Sequence, residues 1–533
     1  MNKNYPYASK RNVVYAKNGM VATAQPLAAQ AGLDILKKGG NAIDAAIAVA
    51  AALTVVEPTS NGIGGDNFAL IWNENKLHGL NSSGPAPSLL TKEALLQKGL
   101  SAIPRFGFAP ITVPGAVAGW SEMSKKFGKL PLAEVLAPAI FYARNGFAVS
   151  PTVAYYWNAA SQIYQKNLKA DEFAFWFETF LIDRVAPIEG DLWYLKDHAN
   201  TLEEIAQTNG ASFYHGKLAD KIDEFSRKYD GFIRKSDLEK FKPEWVEPIS
   251  VSYKGYNVWE IPPNGQGIVA LMALNIIENF NFTEREKLDV YHKQIEAMKL
   301  AFADGLHYIS DPKSMNISVE AMLSKKYAKA QSKLILKQAQ LRTHGSPKAS
   351  GTVYLATADA DGNMVSMIQS NYMGFGSGLV VPGTGIALHN RGHNFSLDEK
   401  SDNFLEPDKR PYHTIIPGFL TQGSTPIGPF GVMGGFMQPQ GHMQIVMNLI
   451  DFKMNPQAAL DAPRWQWMTG NHVTVEPNVS KSIIQGLIRK GHQVKIEPNL
   501  GTFGRGQIIL RNPKTGVYCG GTEKRADGTI ASY

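Results

Sequence analysis

Apolar positions recur at helical spacing from Gln25 to Lys38, where Leu27, Ala28, Ala31, Leu33, Ile35 and Leu36 share one side. Gly39-Gly40 ends the pattern in the left-handed conformation that glycine adopts at least cost. Asn41 then caps a second predicted helix, an alanine-rich run reaching Val55. So many small apolar residues imply a helix packed between other layers. Gly62-Ile63-Gly64-Gly65-Asp66 reads as a packing turn into a short strand, Phe68 to Trp72. As a nucleotide site it lacks the Lys-Ser/Thr of a P-loop and does not fit GxGxxG.

Further helices are predicted over residues 113 to 127, from Leu130-Pro131 to Asn145-Gly146, over Ile268 to Asn279 and over Val290 to Tyr308. Residues 150 to 250 read as mixed, with tryptophans at 157, 176, 193 and 245. Residues 324 to 351 turn polar and basic and read as an exposed connector. Beyond it, two β-rich runs, Thr352 to Ala358 and Met364 to Ser370, flank Asp359-Ala360-Asp361-Gly362-Asn363. The Asp-Gly pair predicts a hairpin with a type I′ turn, positive in φ at both central positions. The last third is rich in Gly, Pro and Met and reads as strands and turns; no tandem repeat is visible.

Composition narrows the function classes. The 533 residues can bury a full core without staples. A net charge of +7 is a weak bias at this length, and basic residues come only in twos, as at Lys37-Lys38 and Lys125-Lys126. No tract grips a phosphate backbone, so no nucleic-acid partner is expected. The one cysteine, Cys519, excludes an intramolecular disulfide, a multi-thiolate zinc site and an iron–sulfur cluster. The N-terminal stretch has no apolar core of signal-peptide length. The longest apolar run, Ala42 to Val56, is interrupted by Asp44 and falls short of the ~20 residues of a spanning helix. No membrane contact and a cytoplasmic location are the expectations.

Gly351-Thr352 joins the connector to the first residue of a predicted strand. A threonine hydroxyl needs a base to act as nucleophile, and a threonine freed at an N-terminus carries one, an α-amine with a pKa near 8. Glycine before it leaves the backbone room for the hydroxyl to attack the Gly351 carbonyl. A strand-starting threonine is the plain alternative.

The surrounding motifs favour the nucleophile. Thr352, the DADGN hairpin, GFGSG at 374–378, KRP at 409–411 and Gly434-Gly435 resemble the γ-glutamyltransferase family of self-cleaving N-terminal-nucleophile (Ntn) hydrolases. The resemblance extends over nearly the whole chain, through QPLAAQAGLDILKKGGNAIDAAIA, PTSNGIGGD, VPGAVAGW, IPPNGQG, AFADGLHYISDP and DAPRW. It implies an α+β fold, an αββα sandwich built jointly by two autoprocessed fragments, residues 1–351 and 352–533, that stay together as a heterodimer. It implies Thr352 as nucleophile and new N-terminus, and Gly351–Thr352 as the cleavage site. Ser370 stands where the family usually has a threonine that touches the nucleophile. Gly434 and Gly435 match the pair whose N–H groups form the oxyanion hole, a role that suits glycine backbone.

The departures bear on substrate. Ser83 sits where glutamate-handling transferases carry an arginine for the donor carboxylate, and a neutral hydroxyl cannot replace a bidentate cation. Tyr372 stands in place of an asparagine. Asn390-Arg391-Gly392-His393-Asn394 replaces a stretch whose glutamine and aspartate bind the donor amine, so the acid is lost at Asn394 and Arg391 is gained. His413-Thr414 replaces a serine pair, and the loop from Ser396 to Asp408 is too short for a lid. This set resembles the YwrD-like, oxamate amidohydrolase-like and cephalosporin acylase-like branch of the family. Ser83, Tyr372, Arg391, Asn394, His413 and Thr414 are thus the candidate substrate-binding residues, with Arg391 and His413 expected to donate to an anionic acyl group. The plain alternative for Arg391 is a structural arginine paired with a carboxylate such as Asp359 or Asp398.

The histidines at 389, 393, 413 and 442 do not fall in a metal-ligand pattern, and a nucleophile with its own base needs no metal or cofactor. The reading is an autoprocessed amidohydrolase or acyltransferase for a small-molecule amide, either γ-glutamyl or anionic like oxamate. Its alternative is an unprocessed, non-catalytic small-anion-binding protein on the same scaffold.

Overall fold

Asn41 links two helices, Pro26–Lys37 and Ala42–Val56. Its side-chain oxygen accepts from the N–H groups of Ile43 and Asp44, and Asp44 accepts from the Asn41 N–H in return. This capping box fixes where the second helix begins. Every residue of Ala42–Val56 is buried, as its all-round small apolar surface requires.

The computed structural model describes residues 11–341 and 351–533. Two seven-stranded antiparallel sheets are stacked between helices. One runs, edge to edge, through 529–532, 19–23, 353–359, 364–370, 66–73, 76–82 and 244–246. The other runs through 14–16, 518–522, 505–511, 425–433, 418–422, 256–260 and 249–253. Pro26–Lys37, Ala42–Val56 and Ala116–Phe127 cover the first sheet. Gly267–Ile277, Met437–Ile450 and Pro456–Asp461 cover the second. Apolar side chains from both sheets, among them Phe68, Leu70, Tyr354, Ile368, Phe419, Met433 and Ile509, fill the space between them. The expected αββα sandwich is the observed architecture, and both sheets take strands from either side of the Gly351–Thr352 bond.

The hairpin at the centre of the first sheet forms as expected from Val353–Asp359 and Met364–Ser370, but its turn is of another kind. Only Gly362 has positive φ, at +89°; Asp361 does not. The Asp359 carboxylate accepts from the N–H groups of Asp361 and Asn363, and the Asp359 N–H donates to the Asn363 carbonyl. This is a three-residue loop with glycine in the left-handed position rather than a type I′ turn. Much of 150–250 is helical, as in Pro151–Asn167, Lys196–Gln207 and Lys217–Lys228. In the last third, Met437–Ile450 and Lys481–Arg489 are helices where strands and turns were expected. Met437–Ile450 carries Pro439 and Gly441 and is buried on nearly every side, so it shows no amphipathic pattern. The expected connector holds the helix Lys325–Ser332, with Ala328 and Ser332 buried; its stretch 342–350 lies outside the described residues.

Candidate active site

Thr352 is fully buried at the start of a central strand, still joined to Gly351. Its hydroxyl donates to the Gly351 carbonyl at 2.7 Å and lies 3.2 Å from the Ser370 hydroxyl, which donates to the same carbonyl at 2.8 Å. Register explains the meeting. Val353 pairs with Gln369 across the hairpin, which sets Thr352 opposite Ser370. Two hydroxyls therefore converge on the carbonyl of the bond expected to break.

From Ser370 the site extends through a chain of contacts. The Tyr372 N–H donates to the Ser370 hydroxyl at 2.7 Å. Tyr372 has φ +72°, a conformation that asparagine tolerates better than a bulky ring. Its ring lies under the Arg391 guanidinium, 4.4 Å from the centroid, and its hydroxyl donates to Asn394 at 2.6 Å. Arg391 Nη1 donates to the Thr414 hydroxyl at 2.6 Å. The Thr414 carbonyl accepts from Gln266, which also donates to the Gly435 carbonyl at 2.8 Å. Gly434 and Gly435, at φ +132° and +60°, form the turn between the strand Thr425–Met433 and the helix Met437–Ile450. Thr352, Ser370, Tyr372, Arg391, Asn394, Thr414, Gly435 and the adjoining Gly434 are thus parts of one bonded assembly.

Sequence reasoning passed over one member of this site. Asp66 opens the strand Asp66–Asn73, directly across from Ser370 in the ladder, and is fully buried. His413 Nε2 lies 3.0 Å from its Oδ2, and His389 Nδ1 and Arg391 Nε lie 3.5 and 3.9 Å from it. His413 Nδ1 accepts from the Ile415 N–H, so the hydrogen of its ring is on Nε2 and is given to Asp66. Burial pushes the Asp66 carboxyl up to about 7, against the pull of Arg391 and of the Gly115 and Gly84 N–H groups. Burial also holds His413 well below the usual histidine range, with Arg391 and His389 adding to the effect. In the uncut chain His413 therefore turns its Nε2–H to Asp66 and its Nδ1 to the Ile415 N–H. The signal that could have found Asp66 is an acid at the mouth of a strand that is otherwise apolar.

Arg391 pairs with a buried carboxylate, as the structural alternative expected, but the partner is Asp66 at 3.9 Å and not Asp359 or Asp398. Its Nε and Nη2 are fully buried and hydrogen-bond to nothing among the described residues. Such donors cost free energy unless a ligand or water meets them. The Ser83 hydroxyl donates to Asn81 at 2.7 Å and its carbonyl accepts from Arg410. Asn81 and Arg410 line a cavity of about 430 Å³ to which Thr352 does not contribute.

Histidine pairing is local elsewhere: His393 Nδ1 meets the Ile103 carbonyl, and His442 Nδ1 meets Glu260. Among the described residues, the one grouping with metal-ligand geometry is His292, Glu296 and His492, on other elements. There Glu296 is ion-paired with the buried Lys299. No helix of the described residues is long and apolar enough to cross a membrane.

Comparisons with known proteins agree with this architecture. Residues 28–533 match the family described as Gamma-glutamyltranspeptidase. The Glutathione hydrolase-like YwrD proenzyme of Bacillus subtilis (strain 168) is 38% identical over 96% of this chain and 97% of its own length. The Oxamate amidohydrolase proenzyme of Klebsiella pneumoniae subsp. pneumoniae is 33% identical over 97% of this chain and 98% of its own. Among solved structures, a cephalosporin acylase from Bacillus halodurans superimposes with a TM-score of 0.98 at 61% identity, covering 100% of this chain and 99% of that one.

Proposed function

The chain belongs to the gamma-glutamyltranspeptidase family and is a hydrolase of that family; from this premise we propose that it is an amidohydrolase that cuts itself between Gly351 and Thr352 and then hydrolyses small amides whose acyl group ends in an anion. The observation that carries the proposal is the Thr352 hydroxyl 2.7 Å from the Gly351 carbonyl oxygen. Attack by Thr352 Oγ1 on that carbonyl carbon breaks the peptide C–N bond, which frees the Thr352 amine and leaves an ester; water then hydrolyses the ester to the Gly351 carboxylate and the free Thr352 hydroxyl. That amine then serves as the base for the hydroxyl beside it. An incoming amide carbonyl takes the place that Gly351 vacates. The N–H groups of Gly434 and Gly435 receive the developing oxyanion, a contribution of a few kcal/mol at such sites.

The acyl group is read by what lies beyond Ser370. Arg391 brings two donors without a hydrogen-bond partner, and its acidic neighbour Asp66, 3.9 Å from Nε, is engaged by His413 and backbone N–H groups. An ammonium group would find no acid to bind, whereas a carboxylate would satisfy both donors. Oxamate and ω-carboxyacyl amides fit this pattern. Thr414 and Tyr372 hold the guanidinium in place. No step calls for a metal or a cofactor.

A denaturing gel tests the first step. Scaling 58.4 kDa by 351 and by 182 of 533 residues gives fragments of about 38 and 20 kDa. The smaller should begin at Thr352 on N-terminal sequencing, and Thr352→Ala should stay whole. One intact chain that binds oxamate would instead identify an anion-binding protein.

A further inference from the structure

The loop before the helix Ala116–Phe127 sends a second arginine to the site. Arg105 is held by its backbone on two sides: its carbonyl accepts from Asn390 Nδ2 at 3.0 Å, and the Gly107 N–H donates to the Ser377 carbonyl at 2.9 Å. Its guanidinium lies 4.9 Å from the Phe106 ring centre, and Phe106 meets Tyr164 edge-on. Its head group stands beside the buried Tyr164 hydroxyl and interacts with it. It pairs with no carboxylate among the described residues, and its Nε is buried without a hydrogen-bond partner. Unlike Arg391, the side chain is only half-buried.

Its position follows from two glycines. A side chain on Gly351 would meet the Gly374 N–H at 3.3 Å, and one on Gly374 would meet Arg105 Nη2 at 3.9 Å. One glycine residue therefore separates Arg105 from the bond that Thr352 is placed to attack. Arg105 and Arg391 both lie near enough to Tyr372 to favour its ionised form. The site thus has two guanidinium groups, one sealed beyond Tyr372 and one at the accessible rim beside Gly374. A single carboxylate on the acyl group would use only the first.

We propose that Arg105 forms a second anion subsite, which binds a carboxylate carried by the leaving amine. The inference rests on the acyl-anion reading above and narrows the substrates to amides with an anion on each side of the scissile bond, such as ω-carboxyacyl amino acids. Hydrolysis then runs in balance. Thr352 Oγ1 bonds to the acyl carbon while its proton passes to the Thr352 amine; the C–N bond breaks and the amino acid leaves with that proton. Water adds to the ester and releases the diacid. Arg105 takes no part in bond making; it orients the leaving group, with a charge-assisted contact that is strong where the site is partly closed.

The test uses paired substrates and the processed enzyme. Oxalyl, succinyl and glutaryl amides of glycine are compared with the same acyl amides of glycinamide, which differ only in the leaving-group charge. For the acyl group it accepts, the enzyme should show kcat/KM at least tenfold higher for the glycine member. Arg105→Ala should bring that ratio close to one, and Arg105→Lys should keep part of it. Arg105→Gln, which preserves packing on Phe106, serves if Arg105→Ala fails to mature into two fragments. A ratio near one in the natural enzyme, or one unchanged in the variants, overturns the Arg105 subsite while leaving the acyl-anion reading intact. No turnover of any pair overturns the acyl-anion reading and this inference with it.

Discussion

His413 gives its ring hydrogen to Asp66 across 3.0 Å, and this bond decides what Arg391 is free to do. Asp66 meets the histidine and two backbone N–H groups, so it does not close on the guanidinium, which it approaches only to 3.9 Å. A carboxylate shared among these donors leaves Arg391 Nη2 without a hydrogen-bond partner and open to a second anion.

Ser370 should govern the rate of self-cleavage. Its hydroxyl donates to the Gly351 carbonyl, the oxygen that gains charge as Thr352 attacks. Removing one such donor typically slows a reaction about 10²-fold or more. Ser370→Ala should therefore accumulate uncut chain in a time course on denaturing gels, whereas Ser370→Thr should mature at close to the natural rate. Equal maturation of the alanine variant would show that the contact has no part in cleavage.

Arg391 should act on substrate and not on maturation, because the acyl pocket is empty of donor when the precursor cuts itself. Loss of a charge-assisted contact costs about 1.5–3 kcal/mol, or about 10- to 100-fold. Arg391→Ala should raise KM for an anionic amide by that factor and still yield both fragments. A block in fragment formation would make Arg391 structural.

Glutathione should be a poor substrate. Ser83 spends its hydroxyl on Asn81, and the nearest arginine, Arg410, gives Nη1 to Glu244. Neither offers the bidentate cation that a γ-glutamyl carboxylate needs. Steady-state kcat/KM for glutathione should lie at least about 100-fold below that for the best anionic amide, in keeping with the loss of more than one such contact.

The contribution of Asp66 and Glu57 to stability should fall as pH rises from about 4 to 7. The Asp66 and Glu57 carboxyls are both pushed up to about 7 by burial, so the fold holds protons that the unfolded chain gives up near 4. Where the native state binds more protons, raising pH favours unfolding. The buried histidines, held below their usual range, add a slope of the opposite sign, so the effect is measured as a difference. Urea unfolding of the natural protein and of Asp66→Asn over this range should show the natural protein losing stability relative to the variant as pH rises. No relative loss would mean that Arg391 outweighs burial at Asp66.

The layers of the fold were legible because local signals and packing agree in them. The Asn41 cap, the alanine run and the central hairpin each need few neighbours to be specified. Met437–Ile450 was hidden because its core-facing surface runs all the way round, and periodicity vanishes when every face is buried. In the site, Thr352, Ser370, Arg391 and Thr414 were reached through motifs that resemble the γ-glutamyltransferase family, not through residue type alone. Asp66 was not, since its meaning arises only when residues 66, 389, 391 and 413 meet, far apart in sequence. The contact of His413 was illegible for the same reason: its type announces a donor, but not that Asp66 receives it in the uncut chain.

The interleaving of strands has a consequence for how the molecule comes apart. A cut before Thr352 adds two chain ends but creates no seam, since strands on either side of the break alternate within both sheets. The mature protein should melt in a single transition, with both pieces lost together. Produced separately, each piece would present bare sheet edges and half of a core, and would be prone to stick to its own kind. The two products of the cut remain, in every mechanical sense, one body.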